Sequence, residues 1–307
     1  MTTQTPVLPT VADIEATGVE RRRRFKAFLG LVRTNPLGAF GGVIIAATIF
    51  AGVFAPMIAP YDINEFVGAP NQSPSASHPF GTDKLGRDIM SRVLHGARIS
   101  LVVGILAVGL GTIAGMTLGL VSGYKGGPID TVVQRAVDVA IGFPQLILLL
   151  IVVRVLGPSL LNVVLAISFG IVPNVARVAR GATLAEKNNL YVEAARAMGA
   201  SDLRILGRHL VPNVLPLGIV VATTLLGTAI LAEAALSFLG LGIPPPNPSW
   251  GADISAARTS FPINAWTAFF PGAAISLSVL GFNLLGDALR DILDPRLRGS
   301  SGGVQRF

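Results

Sequence analysis

Six apolar runs constrain this chain more than any motif in it. They fall at about residues 36–58, 99–121, 139–156, 160–178, 214–241 and 266–288. Each approaches the ~20 residues that a helix needs to cross ~30 Å of hydrocarbon. Lipid offers no partners for backbone N–H and C=O groups, so segments of this length cross it as helices that satisfy themselves. With 51% hydrophobic residues, 13% charged residues and a mean hydropathy of +0.64, the composition lies outside the soluble globular range. The expected architecture is all-α. A polytopic membrane domain of six transmembrane helices occupies 36–298, with an outer loop at 59–95 and short tails at 1–35 and 299–307.

Several chemistries are excluded early. There is no cysteine, which removes disulfides, thiolate nucleophiles and cysteine metal sites. His78, His95 and His209 are far apart and lack the ligand spacing of a metal centre, so none is expected. No Gly-x-x-x-x-Gly-Lys-Ser/Thr occurs, so if ATP drives this protein another chain binds it. No nucleophile–base pair falls at one membrane depth.

The formal charge of +7 follows membrane orientation rather than nucleic-acid binding, for which no aromatic platform or soluble basic face exists. Six spans with both ends inside put 6 Lys and Arg in the N-terminal tail, 2 in 122–138, 6 in 177–209 and 4 at the C-terminus on the cytoplasmic side. The remaining six (Lys84, Arg87, Arg92, Arg98, Arg154, Arg258) lie outside or near the outer interface. That asymmetry obeys the positive-inside rule. The basic cluster Arg21–Arg24, Lys26 and Arg33 precedes an apolar run too long for a cleavable signal, and the first span is expected to remain as an anchor.

Between the fourth and fifth spans, about 185–213, lies a polar interval that is nonetheless rich in helix formers with a helical apolar period. A helix over about Ala185–Met198 is predicted, with Gly199 as a left-handed C-cap. Ser201 or Asp202 then caps a second helix, which Pro212 ends. A helix–turn–helix outside the bilayer is a docking element.

Glu193-Ala194-Ala195, three residues, then Gly199 resembles the EAA loop of the membrane subunits of binding-protein-dependent ABC importers. His209 and Val211-Pro212 stand where the general family pattern has Ile and Leu-Pro. Arg208 to Asn213 is instead similar to the peptide-permease branch. The stretch from His78-Pro79-Phe80-Gly81-Thr82-Asp83 through Gly86-Arg87-Asp88 and Ser91-Arg92 to Gly96-Ala97-Arg98-Ile99-Ser100-Leu101 closely resembles the signature of the C-type permease subunit of dipeptide, oligopeptide and nickel importers. Gly123-Tyr124-x-Gly126-Gly127, Ala232-Glu233-Ala234-Ala235 and the ending Gly286-Asp287…Asp294-Pro295-Arg296 are similar to the same branch.

This resemblance, over about residues 36–298, implies a type I ABC importer permease fold in the bacterial cytoplasmic membrane with both termini cytoplasmic. It implies a non-enzymatic subunit, binding no cofactor itself, that forms a heterodimer with a second homologous permease. Two partner ATPases carry ATP-Mg, and an extracytoplasmic binding protein delivers dipeptides, oligopeptides or a nickel complex. Coupling to the ATPases falls on Glu193, Ala194, Ala195, Arg196, Met198, Gly199 and Asp202.

Other expectations come from the residues themselves. In the outer loop, Gly81 and Gly86 suit turns, while Asp83, Arg87, Asp88 and Arg92 pair within the loop in preference to touching substrate, with Thr82 among the motif residues. Gly111-x-x-x-Gly115-x-x-x-Gly119 is a ridge for close helix packing, within this chain or against a partner. Trp250 and Trp266 are placed like interfacial anchors. Glu233 is the acid deep in the fifth span. It contacts a peptide amino terminus in the translocation path, or pairs with Arg154 or a neighbouring helix, or carries a proton as in an ion-coupled secondary transporter.

Overall fold

The computed structural model describes residues 35–258, 260 and 263–293. The basic cluster at 21–33 and the Asp294–Arg298 ending lie outside the described residues. The helices are α1 (Pro36–Ile58), α2 (Ile89–Lys125), α3 (Gly127–Gly142), α4 (Gln145–Leu156), α5 (Leu160–Glu186), α6 (Leu190–Ala197), α7 (Asp202–Phe238), α8 (Trp250–Ala257) and α9 (Trp266–Leu293). Five of these, α1, α2, α5, α7 and α9, are each long and apolar enough to cross a membrane. Together α3 and α4 make a sixth candidate span, bent by 95° at Phe143-Pro144. Pro144 has no N–H to donate and forces its predecessor out of helical geometry, which accounts for a break there.

The central helix is α2, which begins ten residues before the apolar run that marks it in the sequence, so the outer loop ends at Asp88 rather than at 95. The Asp88 carboxylate caps its N-terminus, accepting from the Ser91 amide at 2.7 Å. At its other end the 37-residue helix runs through Ser122-Gly123-Tyr124, the start of a 122–130 stretch whose glycines suggest a turn. The reversal is confined to Gly126 and Gly127, both at positive φ. A helix of that length spans about 55 Å, so the outer loop and the α6 region lie at opposite ends of the molecule.

The glycine ridge packs within the chain, against α5. A Cβ at Gly111 would stand 2.8 Å from Ile171 Cβ, at Gly115 2.7 Å from Val175 Cβ, and at Gly119 2.4 Å from the Ala176 carbonyl oxygen. Small residues bring two backbones into van der Waals contact, the source of helix association in lipid. Val103, Ala107, Val163, Ile167, Val175 and Leu236 fill the core between α2, α5 and α7. A smaller core gathers α1, α2, α7, α8 and α9 around Ile45, Leu101, Ile230, Trp250, Ile275 and Phe282. Helix α1 joins α9 by the same device, with Gly41 lying under Leu284 and the Gly281 carbonyl.

The chain beyond α6 differs from expectation. Pro212 does not end the second helix: Asp202–Ile205 continues through a π turn at Leu206–Leu210 into Val211–Phe238. A proline here would lose a hydrogen bond and press on the carbonyl four residues back. The wider π turn before it accommodates both, and the docking segment runs into the fifth span without a break.

Candidate functional site

At one end of α2 stands a compact hairpin. After α5 ends at Glu186, three residues, Lys187 to Asn189, lead into α6, which is shorter than the predicted helix from Ala185. Val192 and Ala195 are buried, one turn apart, and fix α6 to the bundle. The turn that follows is a Schellman motif: Gly199, at φ +77°, donates to the Arg196 carbonyl at 3.0 Å, and Ala200 to the Ala195 carbonyl at 3.0 Å. Gly199 therefore takes the left-handed cap expected of it. Ser201 precedes α7 but makes no side-chain capping bond.

The hairpin is tied down from behind. Tyr124, at the end of α2, donates its hydroxyl to Asp202 Oδ1 at 2.7 Å, and the Arg196 guanidinium lies 5.9 Å from the centre of its ring. Lys187 Nζ donates to the Gly123 carbonyl at 2.7 Å. Tyr191 donates to Glu186 Oε2 at 2.7 Å and accepts from Asn213 Nδ2 at 3.1 Å, which links the start of α6 to α7 just past the π turn. Partial burial and the Glu186 carboxylate raise the Tyr191 phenol above its usual range. What the hairpin shows outward is apolar: Leu190 is 82% exposed, Met198 81% and Leu203 81%. Beside them Glu193, Ala194 and Arg196 are also exposed. The Glu193 carboxylate makes no hydrogen bond or ion pair among the described residues. Of the seven sequence-predicted coupling residues, Ala195 and Asp202 thus position the element, and Glu193, Ala194, Arg196, Met198 and Gly199 form its face.

Two ion pairs extend this region sideways. Arg180 on α5 donates from Nε and a terminal nitrogen to the two Asp130 oxygens at 2.6 Å each, and Arg177 pairs with Asp138 at 2.6 Å. They bind the amphipathic α3 along the same end of α5.

At the other end of α2 the motif loop folds on itself. Gly81 and Gly86 have φ near +80°, and a Cβ on either would fall 2.3 Å from the Gln72 carbonyl oxygen or 2.2 Å from that of Gly68. Thr82 donates its hydroxyl to the Ala69 carbonyl at 2.6 Å and accepts from the Gln72 amide at 2.9 Å. Asp83 holds Arg87 by side chain, at 2.7 Å, and by backbone. Asp88 accepts from the Ser91 hydroxyl at 2.8 Å and faces His78 Nδ1 at 3.4 Å. Arg92, expected to pair inside the loop, reaches out of it: its Nε donates to Asp253 Oδ1 on α8 at 2.9 Å. Burial pushes the Asp253 carboxyl above its usual range, against the pull of Arg92. A partner 161 residues away in the chain leaves no local signal in the sequence.

Trp250 is not an interfacial anchor. It is buried, packs on Gly96 and donates Nε1 to the Val93 carbonyl at 2.9 Å. Trp266 remains partly exposed, next to Phe269 and Phe270. Glu233 does not meet Arg154. It is fully enclosed and accepts from Ser237 and Ser249 at 2.7 Å each and from Ser100 at 3.2 Å, which joins α7, the N-cap residue of α8 and α2. Replacing Glu233 with alanine strands three buried hydroxyls. A fall in stability of about 3 kcal/mol is expected, read as a lower unfolding midpoint in detergent, with glutamine costing less because it keeps one acceptor oxygen.

Comparison with known proteins accords with this layout. Residues 115–299 match the family described as binding-protein-dependent transport system inner membrane component, and residues 24–77 match the N-terminal TM domain of oligopeptide transport permease C. A glutathione transport system permease protein of Pectobacterium atrosepticum is 44% identical over 259 residues, 84% of this chain and 86% of the relative. A dipeptide transport system permease protein of Alkalihalophilus pseudofirmus is 43% identical over 268 residues, 87% and 88% of the two chains. Among solved structures, an inward-facing MetNI methionine ABC transporter superposes with a TM-score of 0.56 at 22% identity, covering 67% of this chain and 98% of that one. That likeness is one of fold, a type I ABC importer permease. Taken with a relatedness that extends over most of its length, these matches show that the chain belongs to the binding-protein-dependent transport system inner membrane components, in the C-type permease branch.

Proposed function

We propose that this chain is one of two homologous permease subunits of an ATP-driven importer for dipeptides or oligopeptides. The exposed face of the α6 hairpin carries the reading. Leu190, Met198 and Leu203 are left exposed among the described residues, yet the element that presents them is fastened by Val192, Ala195, Tyr124 and Lys187. A rigid amphipathic helix with an unused apolar face fits a groove in a partner. The partner is a cytoplasmic ATPase, one of two, a reading that the basic residues of 177–209 support through the positive-inside rule. The loop at the far end of α2 then faces the binding protein. Closure of the ATPases on ATP pulls the hairpin, and its continuity with α5 and α7 rocks the spans between outward-open and inward-open states. Peptides are the cargo because the named relatives carry glutathione and dipeptides, both built on amide bonds.

The test is uptake of labelled dialanine, trialanine and glutathione by liposomes holding the complete complex with its binding protein. Accumulation that requires internal ATP and survives a protonophore is expected. Accumulation driven by a proton gradient without ATP would move the assignment to a secondary transporter.

A further inference from the structure

The break between α3 and α4 opens a cavity of about 320 Å³ against α5, bordered by Phe143, Pro144, Gln145, Gly170, Pro173 and Asn174. That volume suits a short peptide or a segment of one. Pro173 and Asn174 lie at the midpoint of the 27-residue α5, one turn before Arg177, so the cavity sits on the hairpin side of the bundle's middle, beside an interrupted helix of the kind with which transporters hold their cargo.

Its polar side chains, Gln145 and Asn174, are both neutral. The side-chain amides of Gln145 and Asn174 make no hydrogen bond among the described residues. Pro144 supplies no side-chain cap, and the first amide of α4 with a partner is that of Leu148, so the N–H groups of Gln145, Leu146 and Ile147 have no acceptor among the described residues. On the facing wall Pro173 lacks the N–H that would bond the carbonyl four residues earlier, at Phe169. Gly170 keeps the cleft open: a Cβ there would meet Leu149 Cδ2 at 3.0 Å and Gln145 Nε2 at 3.4 Å. Irregular backbone at membrane depth persists where it lines an aqueous cavity or is covered by protein.

We infer that this cavity is a way-station for the peptide backbone, in which Gln145 and Asn174 exchange hydrogen bonds with main-chain amides of the cargo. Neutral donors and acceptors, with no charged residue along the wall, recognise what every peptide shares and ignore what distinguishes one side chain from another. An amide answers both halves of a peptide group, its N–H and its C=O. The inference rests on the peptide-importer reading and names the part of the cargo that this chain touches.

The absence of cysteine makes a clean test possible. Asn174→Cys, in the complete complex, gives this subunit a unique thiol whose modification by a water-soluble maleimide is followed with and without transported dialanine. Labelling is expected, with slowing of about tenfold during transport, the effect of a site mostly occupied. In parallel, Gln145→Leu with Asn174→Leu is expected to raise the KM for dialanine uptake by roughly tenfold or more, as the loss of two hydrogen bonds predicts. A thiol that never reacts would mean that lipid or the second permease covers the cavity, and would overturn the inference. So would unprotected labelling, or an unchanged KM, in a complex whose wild type transports dialanine. Failure of the wild-type complex to transport any peptide would instead strike the underlying functional reading.

Discussion

Leucine at Gly119 is expected to leave little or no folded protein in the membrane. At that point α2 and α5 touch backbone to backbone: a Cβ would stand 2.4 Å from the Ala176 oxygen, 2.6 Å from Ala179 Cβ and 2.8 Å from the Arg180 amide nitrogen. Overpacking costs about 1–3 kcal/mol where side chains can shift. Main-chain atoms cannot, so the helices must part. Separation also undoes the contacts of Gly111 and Gly115 and displaces Arg180 from Asp130. The control is Gly109 on the same helix, where a Cβ would meet nothing within 4 Å. Size-exclusion profiles and unfolding midpoints of the two leucine variants are expected to diverge, with Gly109→Leu behaving as wild type. A Gly119→Leu protein with the wild-type profile would contradict the packing described for α2 and α5.

The second large effect is functional and leaves the fold alone. Glu193→Arg reverses an exposed charge with no ion pair among the described residues, and such surface changes alter stability by about 0.5 kcal/mol or less. If Glu193 faces an ATPase, reversal replaces an interfacial attraction by repulsion. Peptide uptake is expected to fall about tenfold or more, the equivalent of 1.4 kcal/mol in docking. Gly199→Val acts by a different route. No atom lies within 4 Å of the position its Cβ would take, so only the backbone objects. At φ +77° an L-residue pays about 1–2 kcal/mol, which tilts the turn and misdirects α6. Both proteins are expected in the membrane at wild-type levels with uptake uncoupled from ATP hydrolysis. Normal ATP-driven uptake in both would remove α6 from the coupling role.

How much of this was legible in the sequence depended on the range of the interaction. Apolar runs and local turn chemistry placed the spans and the left-handed Gly199, because each is decided by a few neighbouring residues. Helix ends were less visible: α2 starts at Ile89 since Asp88 caps it, although its first turns are polar and contain Arg92. Pro212 misled because a π turn, invisible to periodicity, absorbs it. A bond from Glu233 to a neighbouring helix is expected and is met at Ser100, but its partner Ser249 and the partners of Arg92 and Trp250 were missed for a common reason. Ser249, Asp253 and the Val93 carbonyl are brought to them by packing of the α8 segment, over separations that no local pattern encodes. The cavity at the bend had a signal, two prolines and two amides at matching depth, but only the structure places Gln145 and Asn174 on one wall and its opposite.

The central claim is that this chain works as part of an ATP-driven assembly, and the most direct measurement is gentle affinity purification from its native membrane with identification of stoichiometric partners. A second, homologous permease together with one or two ATPases carrying Gly-x-x-x-x-Gly-Lys-Ser/Thr is the predicted result. Recovery of the chain alone, intact and monodisperse, would contradict it, and would leave the apolar face of α6 without the partner that explains it.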